Sequence, residues 1–302
     1  ADLPADLALV VATLGLGLCW LLAWSLMLRS VLGTLGVSVP VGRAFLVYSG
    51  AVFANNVTPF GQAGGEPVAA LLISRATDAR YEAGLAGIAS VDVVNVVPSI
   101  SLVVVGLAYY ATGVAVGGRL LLVAATAVLV VVVAGATLAV AWRYRWSLVD
   151  RAPGAVAAVV ARLPWTRVDP ADVERELGGG LTRFFEHVGQ VATSRRRLAL
   201  VLGLSLSGWL LQGAALLAAF AAVGYDVPVS VVLFVIPLAN LAGATPLPGG
   251  LGGIEAAFVA LLVPTTGVPA ADVTAAVLVF RAAIYWLPSA IGGVSVAATG
   301  VR

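Results

Sequence analysis

Residues 44–74 read AFLVYSGAVFANNVTPFGQAGGEPVAALLIS, two short apolar runs separated by a turn rich in proline and glycine. The runs cover 44–58 and 63–74, and helices of this length rise only about 18–22 Å at 1.5 Å per residue. The hydrocarbon core of a bilayer is about 30 Å thick, so neither run crosses it alone. The stretch therefore predicts a re-entrant helical hairpin, which enters the membrane and returns to the same side.

A second stretch later in the chain has the same form. Short apolar runs at 229–245 and 251–263 flank the turn PLPGG at 246–250. Both turns contain a threonine–proline pair, then two glycines, then a glutamate. These residues are Thr58-Pro59, Gly64-Gly65 and Glu66 in the first stretch, and Thr245-Pro246, Gly249-Gly250 and Glu255 in the second. The shared pattern indicates an internal repeat with one re-entrant hairpin in each half.

The rest of the chain is apolar enough to span a membrane several times. Of its 302 residues, 61% are hydrophobic and 11% are charged, with a mean hydropathy of +1.04. This composition excludes an ordinary soluble enzyme and a disordered chain. Runs near or above the roughly 20 residues that a spanning helix needs lie at 7–28, 83–109, 119–142, 198–223 and 273–299. We therefore predict an all-α polytopic membrane protein.

The order of these segments predicts an inverted repeat of transmembrane helices within a single domain, 1–302. The first half is 1–118, a helix and a cytoplasmic loop follow at 119–197, and the second half is 198–302. With the N-terminus outside, the C-terminus and the 143–197 loop are cytoplasmic, and 15 of 17 arginines fall inside against one outside. This arrangement predicts a multi-pass cell-membrane protein related in organisation to secondary transporters.

Four ionisable residues are expected at membrane depth, where charge is costly and usually functional. They are Glu66 and Glu255 on the hairpins, Asp92 in helix 83–109 and Arg281 in helix 273–299. Asn95 lies on the same helix face as Asp92, three residues on. We interpret all five as candidate substrate-binding residues. The alternative is that the ionisable groups form structural pairs that hold the helices in register.

The hairpin turns supply neutral polar groups and glycines at the same depth. A helix that begins at such a turn directs free N–H groups into the cavity, which suits an anionic headgroup. The further substrate-binding candidates at these turns are Asn55, Asn56, Thr58, Gln62, Gly64, Gly65, Asn240, Thr245, Gly249 and Gly250. We interpret the aromatic residues Trp20, Trp24, Tyr109, Tyr110, Tyr285 and Trp286 as interface anchors or packing.

Signs of enzyme chemistry are missing from the sequence. The chain has one cysteine, Cys19, and one histidine, His187, which excludes an internal disulfide and a metal site built on histidines. No HExxH, GxSxG or P-loop pattern occurs. We expect no enzymatic activity, no cofactor, no metal and no nucleic-acid partner, although an intramembrane hydrolase with paired carboxylates remains an alternative.

Three segments resemble the lysylphosphatidylglycerol synthase transmembrane, or flippase-like, family. They are NNVTPFGQAGGE at 55–66, PLPGGLGGIE at 246–255, and Phe280-Arg281 with YWLP at 285–288. The family includes the flippase half of the bacterial multiple peptide resistance factor and stand-alone archaeal proteins proposed to move polyprenyl-phosphate sugars. The resemblance implies lipid translocation between leaflets and suggests a homodimer. The soluble aminoacyl-transferase half of bifunctional members has no counterpart here, so lipid synthesis is not implied.

The resemblance and the residue patterns together predict a flippase for an anionic phospholipid or a polyprenyl-phosphate sugar. Arg281 and the turn amides would hold the lipid phosphate, while Glu66 and Glu255 would bind a cationic headgroup or couple transport to protons. Three alternatives remain. The first is a transporter of a small soluble solute or ion, the second an accessory module with a glycosyltransferase as partner, and the third a membrane-embedded enzyme.

Overall fold

A computed structural model describes residues 6–58, 62–77, 80–113, 143–160, 195–244 and 247–298, with isolated positions between 136 and 189. The described residues are almost entirely helical and contain no strand. Five helical segments are long and apolar enough to cross a membrane: Leu7–Thr34, Tyr81–Ala111, Arg195–Ala222, Pro248–Thr266 and Ala270–Ala298. The prediction of an all-α polytopic membrane protein is confirmed. The predicted helix 119–142 lies outside the described residues except for positions 136 and 140.

Ten α-helices are labelled here in chain order. They are α1 (Leu7–Thr34), α2 (Val41–Val57), α3 (Gln62–Ala76), α4 (Tyr81–Gly113), α5 (Arg145–Val160), α6 (Arg195–Ala222), α7 (Val229–Asn240), α8 (Gly253–Thr266), α9 (Ala270–Arg281) and α10 (Leu287–Ala298). Two 3₁₀ turns, Leu241–Ala244 and Pro248–Gly250, lie between α7 and α8. Helix α5 lies near the start of residues 143–197, for which the sequence predicts a cytoplasmic loop.

Each contact that a helix of the first half makes with the second half has a counterpart made by the equivalent helix of the second half. Helices α1 and α6 pack on each other, the last helix of the first half (α4) packs on α7, and the last helix of the second half (α10) packs on α2. The Asp6 amide donates to the Ala222 carbonyl at 3.0 Å, and the Trp24 indole donates to the Ser205 carbonyl at 3.2 Å. Helices α1 and α6 are therefore antiparallel, as an inverted repeat requires.

The hairpin arms differ in length. At 1.5 Å per residue, α2, α3 and α7, with 17, 15 and 12 residues, rise about 26, 22 and 18 Å, less than the hydrocarbon core. The other arm of the second hairpin is longer than predicted, because Pro248–Thr266 has 19 residues and could cross a membrane by length and composition. The re-entrant course of the hairpins therefore stays a prediction.

The helical segment Ala270–Ala298 changes its hydrogen-bond pattern directly after Arg281. Residues Ala282–Trp286 form a π-helical turn, which joins α9 to α10. Pro288, one residue past the start of α10, has no backbone N–H to donate, so the helix ladder needs a local adjustment there. Such π turns occur frequently at functional sites. Here the turn rotates Tyr285 and the residues after it relative to Arg281.

Helix α4 has one apolar face and one polar face. Val93, Val97 and Val104 are exposed on the outside of the protein, in positions suited to lipid contact. Asp92, Asn95 and Ser99 follow the spacing i, i+3, i+7 and point the other way, into the interior. The sequence of α4 therefore directs its polar groups toward a shared cavity between the two halves.

Candidate functional site

A cavity of about 530 Å³ lies where the two halves of the protein meet. Helices α1, α2, α4 and α6 to α9 contribute to its wall, together with the turns before α8 and after α9. Its polar and aromatic lining residues are Trp20, Trp24, Tyr48, Asn55, Asn56, Asp92, Asn95, Ser99, Trp209, Gln212, Asn240, Arg281 and Tyr285. The volume is in the range of small-molecule sites.

The second half contributes an ion pair to this cavity. The Arg281 Nε donates to Glu255 Oε1 at 2.6 Å, and the side chain of Arg281 is only 8% exposed. The other carboxylate oxygen of Glu255 accepts the Gly252 amide at 2.7 Å, which caps the start of α8. The guanidinium carbon lies 4.4 Å from the ring centre of Tyr285, in cation–π geometry. These contacts fix the position of Arg281 at the end of α9, inside the span Ala270–Ala298.

The first half contributes a pair of carboxyl groups. The side chains of Glu66, on α3, and Asp92, on α4, lie within hydrogen-bonding reach of each other. An ionised carboxylate only accepts hydrogen bonds, so a bond between the two groups forms only when one of them carries a proton. Asp92 also lies beside Tyr48 of α2. The two halves therefore place chemically different pairs around one cavity.

Four buried polar atoms of the cavity wall have no hydrogen-bond partner among the described residues. They are two donors, Trp20 Nε1 and Arg281 Nη2, and two acceptors, Asn55 Oδ1 and Asp92 Oδ2. Trp20 and Arg281 are 4% and 6% exposed, so bulk water does not satisfy them freely. Buried polar groups without partners are costly unless a ligand or water satisfies them. The cavity wall thus has unused hydrogen-bonding capacity of both kinds.

The turns of the two hairpins meet at the cavity. The Tyr285 hydroxyl donates to the backbone carbonyl of Asn56 at 3.2 Å, and the side-chain Nδ2 of Asn56 donates to Ser289 Oγ at 2.8 Å. Gly249 has a φ of 56°, and a side chain there would overlap Tyr285 and the Asn56 carbonyl. Glycine is needed at this position for both its backbone conformation and its lack of a side chain.

The structure brings together most of the residues predicted as substrate-binding. Seven of them line the cavity: Asn55, Asn56, Asp92, Asn95, Asn240, Gly249 and Arg281. Glu66 contacts Asp92, and Glu255 binds Arg281. Gly65 lies against Asn55, and Gly250 lies against Gly243. The Thr58 hydroxyl donates to its own helix, to the Ala54 carbonyl at 2.8 Å. Thr245 lies outside the described residues, and of Gln62 and Gly64 only their place in α3 is described.

Aromatic residues contribute more to the cavity than the sequence suggested. Trp20, Trp24 and Tyr285 were expected as interface anchors or packing, but all three line the cavity, and Trp20 has an unused donor. Trp24 stacks edge-on against Trp209, with ring centres 5.5 Å apart. Tyr109 and Trp286 are 71% and 58% exposed and fit the anchor interpretation. Spacing within α1 alone could not separate a cavity face from a lipid face, because both are apolar.

Asn95 connects α4 to α6 as well as lining the cavity. Its side-chain oxygen accepts the Ser205 hydroxyl at 2.5 Å, and its backbone carbonyl accepts the Trp209 indole at 3.2 Å. We expect Asn95→Leu to lower the free energy of unfolding by about 1–3 kcal/mol, because the buried Ser205 hydroxyl loses its acceptor. Ser101→Ala on the exposed face of α4 is the matched control, and thermal unfolding in detergent is the measurement. Equal unfolding midpoints for the two variants would contradict a structural role for Asn95.

The comparisons with known proteins agree with this architecture. The family model described as "Lysylphosphatidylglycerol synthase TM region" matches residues 3–292. The chain belongs to this family. No solved structure matches the chain.

Relatives of this lysylphosphatidylglycerol synthase TM region protein occur in Methanothermobacter thermautotrophicus, where each is named "UPF0104 membrane protein". One is 28% identical over 271 residues, covering 88% of this chain and 78% of the relative. Another is 27% identical over 282 residues, covering 90% and 78%. A third is 30% identical over 190 residues, covering 59% and 56%. The family resemblance predicted from the sequence is confirmed over nearly the whole chain.

Proposed function

We propose that this protein is a flippase, which moves a phosphate-bearing lipid headgroup between leaflets while the tails stay in the bilayer. The observation that carries the proposal is the buried, partly unpartnered guanidinium of Arg281 in this cavity. Arginine binds phosphate through several N–H donors at once, and a buried charge of this kind is rarely retained without a function. The substrate class is an anionic phospholipid or a polyprenyl-phosphate sugar.

The arrangement of the two halves supports movement across the bilayer. Arg281 and Asp92 each lie about two fifths of the way along their spans, Ala270–Ala298 and Tyr81–Ala111. A polar site at this depth, between antiparallel repeats, can face either side of the membrane if one half rocks against the other. The excess of arginine on the connecting segments supports an orientation with the N-terminus of this chain outside.

The test is lipid redistribution in proteoliposomes made with the purified protein. Fluorescent phosphatidylglycerol, phosphatidylcholine and polyprenyl phosphate are compared with a labelled diacylglycerol, which lacks phosphate, and with protein-free vesicles. We expect transfer of a phosphate-bearing lipid, with selectivity for one headgroup, and no transfer of diacylglycerol beyond the protein-free rate. Chemical conversion of the lipid would favour an enzyme. Absence of any lipid transfer by folded protein would overturn the proposal and favour a soluble-solute transporter or an accessory module of a glycosyltransferase.

A further inference from the structure

The two halves of the repeat carry their ionisable pairs at equivalent positions. Asp92 follows Glu66 by 26 residues, and Arg281 follows Glu255 by 26 residues. Each pair joins the second arm of a hairpin to the next helix of the same half, α3 to α4 and α8 to α9. The same location therefore holds an ion pair in the second half and two carboxyl groups in the first. If these pairs only held the helices in register, an ion pair in each half would serve equally well. The presence of an acid, Asp92, at the place equivalent to Arg281 therefore needs its own explanation.

The carboxyl pair differs from the ion pair in what it binds. A hydrogen bond between Glu66 and Asp92 contains one proton, and the buried Asp92 Oδ2 has no partner among the described residues. Loss of that proton would leave two carboxylates in contact, and gain of a second proton would neutralise both groups. The pair is therefore a place where a proton from water can bind to a carboxylate oxygen and leave again.

The charged groups around the Glu66–Asp92 pair determine whether a bound anionic substrate strengthens or weakens proton binding to the pair. Tyr48 of α2 lies beside Asp92, and the same cavity contains Arg281, bonded to Glu255, and Tyr285. The described side chains that α1, α6 and α7 place on the cavity wall do not titrate: Trp20, Trp24, Trp209, Gln212, Pro237 and Asn240. With one shared proton, the two pairs together carry one net negative charge. A phosphate that binds Arg281 adds negative charge, which makes a second proton on the carboxyl pair more favourable.

We propose that the Glu66–Asp92 pair is a proton-binding site, occupied more fully when an anionic headgroup binds at Arg281, so that protons and lipid cross together. The inference rests on the proposed flippase function and adds its energy source. Each proton moves as a unit, from water on one side to a carboxylate oxygen and from there to water on the other side. Binding linkage is reciprocal, so low pH strengthens headgroup binding just as the headgroup strengthens proton binding.

The first experiment tests the proton site without any lipid. Infrared spectra of the purified protein at neutral pH should contain a carbonyl band from a protonated, buried carboxyl group. We expect the band to disappear in Glu66→Gln, because a glutamine amide donates to Asp92 and leaves it ionised. Glu255→Gln is the matched control at the equivalent position of the other half, and the band should persist there. A wild-type protein without the band, or a folded Glu66→Gln that retains it, would overturn the proton site.

The second experiment tests coupling, using dihexanoyl phosphatidylglycerol as a soluble probe of the headgroup site. Its dissociation constant is measured at several pH values for wild type and Glu66→Gln. We expect wild-type affinity to rise as pH falls, by at most about tenfold per pH unit for one linked proton, and to be insensitive to pH in the variant. Binding that is independent of pH in wild type would overturn the coupling alone. Absence of probe binding at every pH, together with no lipid transfer in vesicles, would overturn the flippase proposal itself.

Discussion

Replacement of Arg281 by glutamine should reduce lipid transfer to the rate of protein-free vesicles. The guanidinium is the charged donor group that the described cavity wall offers to a phosphate, and glutamine supplies neither its charge nor its planar set of N–H donors. Loss of one partner of a buried charge pair costs about 2–5 kcal/mol or more, equivalent to roughly 30-fold or greater in binding. Arg281→Lys, which keeps the charge but not the planar geometry, should retain a fraction of the activity.

Two further variants make the Arg281 result interpretable. Arg80→Gln makes the same chemical change at a side chain that is 76% exposed, and it should transfer lipid at the wild-type rate. The double variant Arg281→Gln with Glu255→Gln also removes the carboxylate that the single change leaves unpaired in the interior. It should fold and remain inactive. Wild-type transfer by folded Arg281→Gln protein would show that Arg281 does not bind the lipid phosphate.

Addition of a single methyl group at Gly292 should destabilise the protein strongly. A Cβ at this position of α10 would overlap the backbone carbonyl of Ser49 on α2, and a backbone atom cannot move aside without separating the helices. Overpacking typically costs about 1–3 kcal/mol and occasionally more. Because the overlap here is with backbone, we expect the upper end of that range, which exceeds the roughly 1 kcal/mol that alanine gains over glycine in a helix. Separation of the two helices would also break the bond from the Ser295 hydroxyl to the Leu46 carbonyl, now 3.1 Å.

The neighbouring glycine is the control for this prediction. A Cβ at Gly293 would meet the Phe53 ring at 3.4 Å, an ordinary contact, while the gain in helix propensity is the same. Thermal unfolding in detergent should therefore give a midpoint several degrees lower for Gly292→Ala than for Gly293→Ala. Equal midpoints would mean that α2 and α10 do not approach as closely as the structure has them.

The sequence predicted the spanning helices and their order because a bilayer requires long apolar runs. Helices α1, α4 and α6 begin and end within a few residues of the predicted segments 7–28, 83–109 and 198–223, apart from the C-terminus of α1. The second arm of the second hairpin was predicted less well. The predicted run 251–263 stops before Pro264 and the polar pair Thr265-Thr266, which the helix includes. Hydropathy alone also did not include the 3₁₀ turn Pro248–Gly250, so the helical segment has 19 residues.

The candidate site was foreseen in its charged members and missed in its aromatic ones. The charged members are easy to find in the sequence, because a charge in an apolar run is costly whether its side chain faces lipid or the protein interior. They are Glu66, Asp92, Glu255 and Arg281. Trp20 and Tyr48 give no such signal, since an aromatic residue is equally at home in lipid, in a packed core and on a cavity wall. Only the position of α1 and α2 relative to the last helix shows that both residues line the cavity.

The sequence by itself determined that this protein is a polytopic helical membrane protein with a repeated hairpin signature and four costly charges. Those features are local, because apolar length, turn residues and charge can each be read within one segment. The pairing of those charges was decided only by the tertiary structure. Glu66 meets Asp92 because α3 packs against α4, and Glu255 meets Arg281 because α8 packs against α9. Contacts between residues 26 apart depend on helix packing, which no single segment encodes.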